Sequence, residues 1–210
     1  MKPHTILFDL DNTMYPASNG LMQTLDSRII AYVCDRLGIT EEEAHALRQN
    51  YLETYGTTLR GLQALHGVEN EHYLSFIHDF AVDAFIDSDA ELDRLLGLLP
   101  ARKAIFTNAP AEHAERILQR LGIAHHFERI FDIRFQKFFP KPHPAGYQLA
   151  LDELGVRGPG SVMVEDTLRN LPPARALGMN TIYINDEPPP EASELADIVA
   201  PDILAALRVL

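Results

Sequence analysis

Two aspartates stand two residues apart in Asp9-Leu-Asp11-Asn-Thr13, directly after the apolar run Thr5-Ile-Leu-Phe8. On an extended backbone, side chains two apart project to the same face. Such a pair can divide labour: Asp9 can attack a phosphoryl group and carry it as an aspartyl-phosphate, while Asp11 protonates the leaving oxygen and later takes a proton from water. A carboxylate cannot approach a phosphate unaided, because like unit charges ~4 Å apart repel by about 4 kcal/mol at an effective dielectric of ~20. Counter-charge is available elsewhere in the chain. Glu165-Asp166 follows Val162-Met-Val164 and offers an oxygen-only site suited to Mg²⁺. Lys141, between Pro140 and Pro142, supplies a positive point charge. The Thr107 hydroxyl and adjoining backbone N–H groups can hold the remaining phosphate oxygens.

Taken singly, each piece has a plainer reading. Acids after strands cap helices, Thr-Asn pairs make turns, and a lysine between prolines is often merely exposed. Their order is what points to one site. Each lies just beyond a short, unbroken apolar run or in the loop that follows one, and open parallel sheets bind ligands at the carboxyl ends of their strands. These runs are Thr5 to Phe8, Ala104 to Phe106, Ser161 to Val164 and Thr181 to Ile184, with a weaker one at Arg129 to Ile133. Between them, helical spacing appears in Leu92, Leu95, Leu96 and Leu99. It recurs in Ala114, Ile117, Leu118 and Leu121 before Gly122, and in Tyr147, Ala150, Leu151 and Leu154 before Gly155. The alternation predicts a doubly wound, parallel α/β sheet.

About eighty residues separate the first strand, ending at Phe8, from the helix after Ser88, far beyond an ordinary βα loop of ~2–6 residues. Helical patterns fill the gap. Leu25, Ile29, Val33 and Leu37 precede Gly38, and Thr40-Glu-Glu-Glu43 reads as a capping box ahead of Ala44, Leu47, Tyr51 and Tyr55. Further helices are expected over Thr58 to His66 and Glu71 to Val82. The expected division is an α/β core of residues 1–15 and 86–210 with a helical cap over 16–85.

Asp9-Leu-Asp-Asn-Thr13, Phe106-Thr-Asn108, Lys141 in Pro-Lys-Pro-His-Pro, and Val164-Glu-Asp-Thr167 resemble the four motifs of the haloacid dehalogenase superfamily. The resemblance implies a Rossmann-like core and Mg²⁺ as cofactor. It makes Asp9 the nucleophile and Asp11 the general acid/base, with phosphate held by Thr107 and Lys141 and assisted by Asn108. It places the metal on Asp9, on the backbone carbonyl of Asp11 and on Asp166, with Glu165 nearby, and gives Asn170 a part in orienting the fourth motif. Dehalogenases of this superfamily carry an aromatic residue at the second acid, so Asp11 favours phosphate ester hydrolysis. Phosphoryl transfer to another hydroxyl, as in a phosphomutase, keeps both acids and stays open.

Asp11-Asn-Thr-Met-Tyr-Pro16, Tyr51-Leu-Glu-Thr-Tyr-Gly56 and Leu59-Arg-Gly-Leu62 resemble the pyrimidine 5′-nucleotidase subfamily, which implies a nucleoside monophosphate such as UMP or CMP as substrate; related caps serve other small phosphorylated metabolites, which are the alternative. Tyr55 and Arg60 flank a helix break at Gly56, where a ring and a guanidinium can stack on a base or contact a phosphate. They can equally belong to a helical core and a surface ion pair. A ligand-sensing or partner-binding module on an inactive scaffold is a non-enzyme alternative that the complete acid, Thr and Lys set disfavours.

Composition narrows the partners. A net charge of −12 repels a polyanion over most of the surface, so long nucleic acids are not expected. One cysteine, Cys34, allows no intrachain disulfide or cysteine zinc cluster. The absence of a signal-like N-terminus and of long apolar runs predicts a soluble cytoplasmic protein without a membrane partner. The nine histidines form no His-Glu-x-x-His pattern, and His125-His126, after a helix end, reads as an ordinary solvated pair.

Overall fold

Short apolar runs become strands buried on both faces. In the computed structural model, which describes residues 2–210, these are β1 (Thr5–Phe8), β2 (Arg102–Phe106), β3 (Arg129–Phe131), β4 (Ser161–Glu165), β5 (Asn180–Ile184) and β6 (Ile198–Ala200). They form a six-stranded sheet in the order β3-β2-β1-β4-β5-β6, with every neighbouring pair parallel. The expected α/β doubly wound fold is therefore present. Strand order reverses beside β1, and in such sheets the crevice outside the carboxyl ends at the reversal is where ligands bind. The register sets what meets there. Phe8 lies level with Val164 and Ile105, and the Asp9 N–H donates to the Val164 carbonyl at 2.8 Å. Residues 9 and 165 thus leave the sheet side by side.

Helices α1 (Leu21–Leu37), α2 (Glu41–Tyr55), α3 (Thr58–His66) and α4 (Asn70–His78) belong to a compact unit, Gly20–Ala84; the remainder of the described chain is a second unit. Within the helical unit the Thr40 hydroxyl accepts from the Glu43 N–H, while the Glu43 carboxylate accepts from the Thr40 N–H at 2.8 Å, which completes the capping box. Tyr51 is 1% exposed because Gly61 leaves room for it: a Cβ at Gly61 would come within 2.3 Å of the ring. The Tyr51 hydroxyl meets His66 Nε2 at 2.7 Å. Tyr51 is therefore core.

The sheet-bearing unit adds α5 (Ala90–Leu98), α6 (Ala111–Leu121), α7 (Pro144–Leu154), α8 (Leu171–Ala176), α9 (Ala192–Leu195) and α10 (Ile203–Val209). Leu7, Ala104, Phe106 and Met163 pack on one sheet face with Tyr147, Ala150 and Leu151 of α7 and Leu171 and Ala174 of α8. Ile6, Phe8, Ile105 and Val164 alternate with them along the strands and are equally buried. Among the described residues, no helix is long and apolar enough to cross a membrane.

Candidate active site

Lys141 is the hub. It is 2% exposed, and its Nζ donates to Asp9 Oδ1 at 2.7 Å and to Glu165 Oε2 at 2.6 Å. Burial alone would push the ammonium toward neutrality, but Asp9 and Glu165 outweigh it and hold the Lys141 pKa above the ordinary lysine value. Lysine reaches this position on a loop fixed from β2. The Lys141 N–H donates to Asn108 Oδ1 at 2.8 Å, and Asn108 Nδ2 donates back to the Lys141 carbonyl at 3.1 Å. The Asn108 amide thus holds the Lys141 backbone from both ends, and one hydrogen on Nδ2 is left over after these two bonds.

Asp9, Glu165 and Asp166 offer carboxylate oxygens that all lie within 4.8 Å of one another. Glu165 is fully buried and uses both oxygens: Oε2 takes Lys141, and Oε1 accepts from the Thr167 N–H at 3.0 Å. Burial and then the Glu165 charge raise the Asp9 carboxyl above its ordinary pKa, against the pull of Lys141. Burial, followed by the charges of Asp9 and Glu165, raises Asp166 as well. Three acids against one ammonium leave excess negative charge in a dry place, and that donor set fits a hard divalent cation such as Mg²⁺.

The Asp11 carboxylate lies outside that trio. It accepts from the Tyr15 hydroxyl at 2.5 Å, and His113 Nε2 of α6 lies 3.2 Å from the same oxygen. Burial, then Asp11 itself, drives the Tyr15 pKa upward, which keeps the phenol a donor. The turn between Asp11 and Thr13 passes through Asn12 at φ 58°, a left-handed conformation that asparagine tolerates better than most residues.

Thr107, one residue beyond β2, is 1% exposed. Its N–H donates to Phe131 and its carbonyl accepts from Gln136 Nε2. Its Oγ1 accepts from the Ala109 N–H at 3.0 Å, an arrangement that leaves the hydroxyl proton to be donated to an anion. The Asn170 carbonyl accepts from the Tyr147 hydroxyl at 2.6 Å, which anchors the segment after Asp166. His143 serves as the N-cap of α7. Tyr55 and Arg60 lie in the helical unit, Tyr55 at the end of α2 with its ring edge-on to Tyr51, and Arg60 in the first turn of α3.

Sequence reasoning missed Tyr15 and His113 as partners of Asp11. The signal for His113 is its place on the buried stripe of α6, at i, i+4 and i+8 with Ile117 and Leu121, where a polar side chain needs a partner. Beside the cluster, a cavity of about 940 Å³ is walled by Asn12, Tyr15, Phe85, Ile184 and Leu204 among others, and Asp166 belongs to both its wall and the acidic trio. Its wall also carries Asp87, Asp89, Asp186 and Asp202, and among the described residues no lysine or arginine.

Comparison with known proteins identifies the family. A family model described as a haloacid dehalogenase-like hydrolase matches residues 3–178. Phosphate metabolism protein 8 of Saccharomyces cerevisiae is 26% identical over 190 residues, covering 83% of this chain and 59% of that protein, so the chain spans less than two thirds of that relative's length. A phosphoglycolate phosphatase of Rhodospirillum rubrum is 26% identical over 200 residues, with 87% of this chain and 80% of that protein covered. Among solved structures, the Bacillus subtilis HAD-hydrolase YfnB, bound to magnesium, superposes with a TM-score of 0.69 at 16% identity, over 100% of this chain and 99% of that one.

Proposed function

The chain belongs to the haloacid dehalogenase-like hydrolases, and on that premise we propose that it is a magnesium-dependent phosphomonoesterase whose best substrate class is a pyrimidine nucleoside monophosphate. The observation that carries the reading is the buried ammonium of Lys141 joining Asp9 to Glu165, with Asp166 alongside.

In this mechanism Asp9 attacks phosphorus, the bond to the leaving oxygen breaks, and Asp11 delivers a proton to that oxygen. Asp11, now a carboxylate, takes a proton from water as the water oxygen attacks phosphorus. The bond from phosphorus to Asp9 then breaks, and inorganic phosphate leaves. Lys141 and the Thr107 hydroxyl bind the phosphoryl oxygens, and Glu165 holds Lys141 in place. Asp9 and Asp166 would hold Mg²⁺ with the Asp11 carbonyl, and the bound cation supplies positive charge to the phosphoryl oxygens. Base recognition falls to Tyr55 and Arg60 on the strength of their motif alone.

The cavity supports a leaving group without a second anionic charge. Its mixed apolar and acidic wall accommodates an uncharged nucleoside, whereas a carboxylate against that wall would meet Asp87, Asp89, Asp186 and Asp202. UMP is therefore expected to show a higher kcat/KM than phosphoglycolate, by at least about 1.4 kcal/mol or tenfold. A phosphate-release screen of both compounds and a wider monoester panel, with Mg²⁺ and with chelator, tests this. Preference for phosphoglycolate contradicts the substrate class, and activity undiminished by chelator contradicts the metal requirement.

Tyr15 and His113 are positioning residues for Asp11. A hydrogen bond to a charged group is worth ~1.5–3 kcal/mol, so Tyr15→Phe is expected to lower kcat on UMP by roughly tenfold or more. With p-nitrophenyl phosphate, whose leaving group needs no proton, the rate of the p-nitrophenol burst should be nearly unaffected, while the later steady state slows because water activation by Asp11 is common to both substrates. Equal losses in the rate of the phosphorylation step for both substrates would remove Tyr15 from proton delivery.

A further inference from the structure

We propose that Asp93, His125 and His126 form a second metal site, separate in residues and in metal type from the acidic trio, that takes a divalent late transition ion such as zinc. Asp93 lies in α5, and the two histidines occupy the 3₁₀ turn Ala124–His126 between α6 and β3. Asp93 Oδ1 stands 2.8 Å from His126 Nε2 and 3.2 Å from His125 Nε2, and one ligand atom from each residue falls within 4.8 Å of the others. Tetrahedral zinc with bonds of ~2.0–2.1 Å sets neighbouring ligand atoms ~3.3 Å apart, so these side chains need only small adjustments to enclose an ion.

The donor set selects the metal. Two imidazole nitrogens and one carboxylate suit zinc, nickel or copper, whereas the trio of Asp9, Glu165 and Asp166 offers only oxygen and suits magnesium. The local surroundings favour a site. The two rings lie with centroids 4.0 Å apart and are tilted by 40°, and the carboxylate oxygen they share is a single convergence point. His126 is the anchored ligand, with 12% of its side chain exposed and Cε1 lying 3.5 Å from where a Cβ would stand on Gly97 of α5. His125 is the adaptable one, 65% exposed, and leaves the remaining coordination positions to water. The neighbouring cation Arg94 is committed to Glu91 through two hydrogen bonds and does not compete for Asp93. An ion here ties α5 to the turn that leads into β3, and so favours the folded chain.

Titration calorimetry with zinc, run on the intact protein in excess Mg²⁺ so that the oxygen trio is saturated, tests the site. The wild type is expected to take up one zinc per chain with micromolar affinity, and cobalt(II) in its place should give the visible absorption of a four- or five-coordinate ion. His125→Ala, at an exposed position that folding does not need, and Asp93→Asn, which keeps size and a hydrogen bond, should each weaken zinc binding at least about tenfold, the lower end of what losing even an outer partner does to a metal site. Absence of zinc uptake by the wild type, or equal uptake by both variants, would overturn the proposal and leave two histidines sharing one carboxylate by hydrogen bonds.

Discussion

Asp9→Asn abolishes phosphate release from UMP in saturating Mg²⁺, with a loss on the order of 10⁶ in kcat, the scale seen when other covalent nucleophiles are removed. Folding survives the change. The Asp9 pKa lies above its ordinary value because burial and Glu165 disfavour its charge more than Lys141 favours it, so a neutral isostere forfeits little stability. A circular dichroism melt beside the activity assay separates the two quantities: melting near the wild-type temperature with no turnover is the expected pair of results. Normal turnover in the variant would exclude attack by Asp9.

Lys141→Ala damages both folding and catalysis. It leaves Asp9 and Glu165 buried beside each other without the ammonium that joins them, and removing one partner of a buried ion pair destabilises by roughly 3–5 kcal/mol. Urea melts should show that loss in chelator. Mg²⁺ should narrow the gap to wild type, because a cation bound only by the folded chain neutralises part of the same negative charge. Lys141→Arg is not a rescue, since a wider planar guanidinium must fit where the lysine is 2% exposed. Equal urea midpoints for Lys141→Ala and wild type would show that the acids are solvated and that Lys141 is not their hub.

The strands that frame the site were legible because their apolar runs are unbroken and stop at a polar group, as at Phe8-Asp9 and Val164-Glu165. Helix ends were legible where chemistry marks them, as in the Thr40 and Glu43 box and the glycines after α6 and α7. Other boundaries were not. β6, Ile198–Ala200, is a three-residue edge strand whose Ile-Val-Ala carries no periodicity. The helix expected from Glu71 to Val82 ends at His78 and resumes as a 3₁₀ turn at Val82–Ala84.

Spacing could place Asp9, Lys141 and Glu165 at strand ends but could not show which oxygen meets which nitrogen. Glu165 reads as a metal neighbour in sequence, and only the fold shows both its oxygens engaged, by Lys141 and by Thr167. His113 was hidden for a related reason. It sits 102 residues from Asp11, and only the packing of α6 brings the two together.

The central claim is that phosphate passes through a covalent bond to Asp9, and capture of that bond tests it most directly. In Asp11→Asn the water-activating carboxylate is gone, so a burst of p-nitrophenol from p-nitrophenyl phosphate should be followed by a stalled phosphoenzyme. Acid quenching and mapping by mass spectrometry should place the phosphoryl group on the peptide containing Asp9. A burst with the label on another residue, or full turnover with no phosphoenzyme at any quench time, would contradict the account.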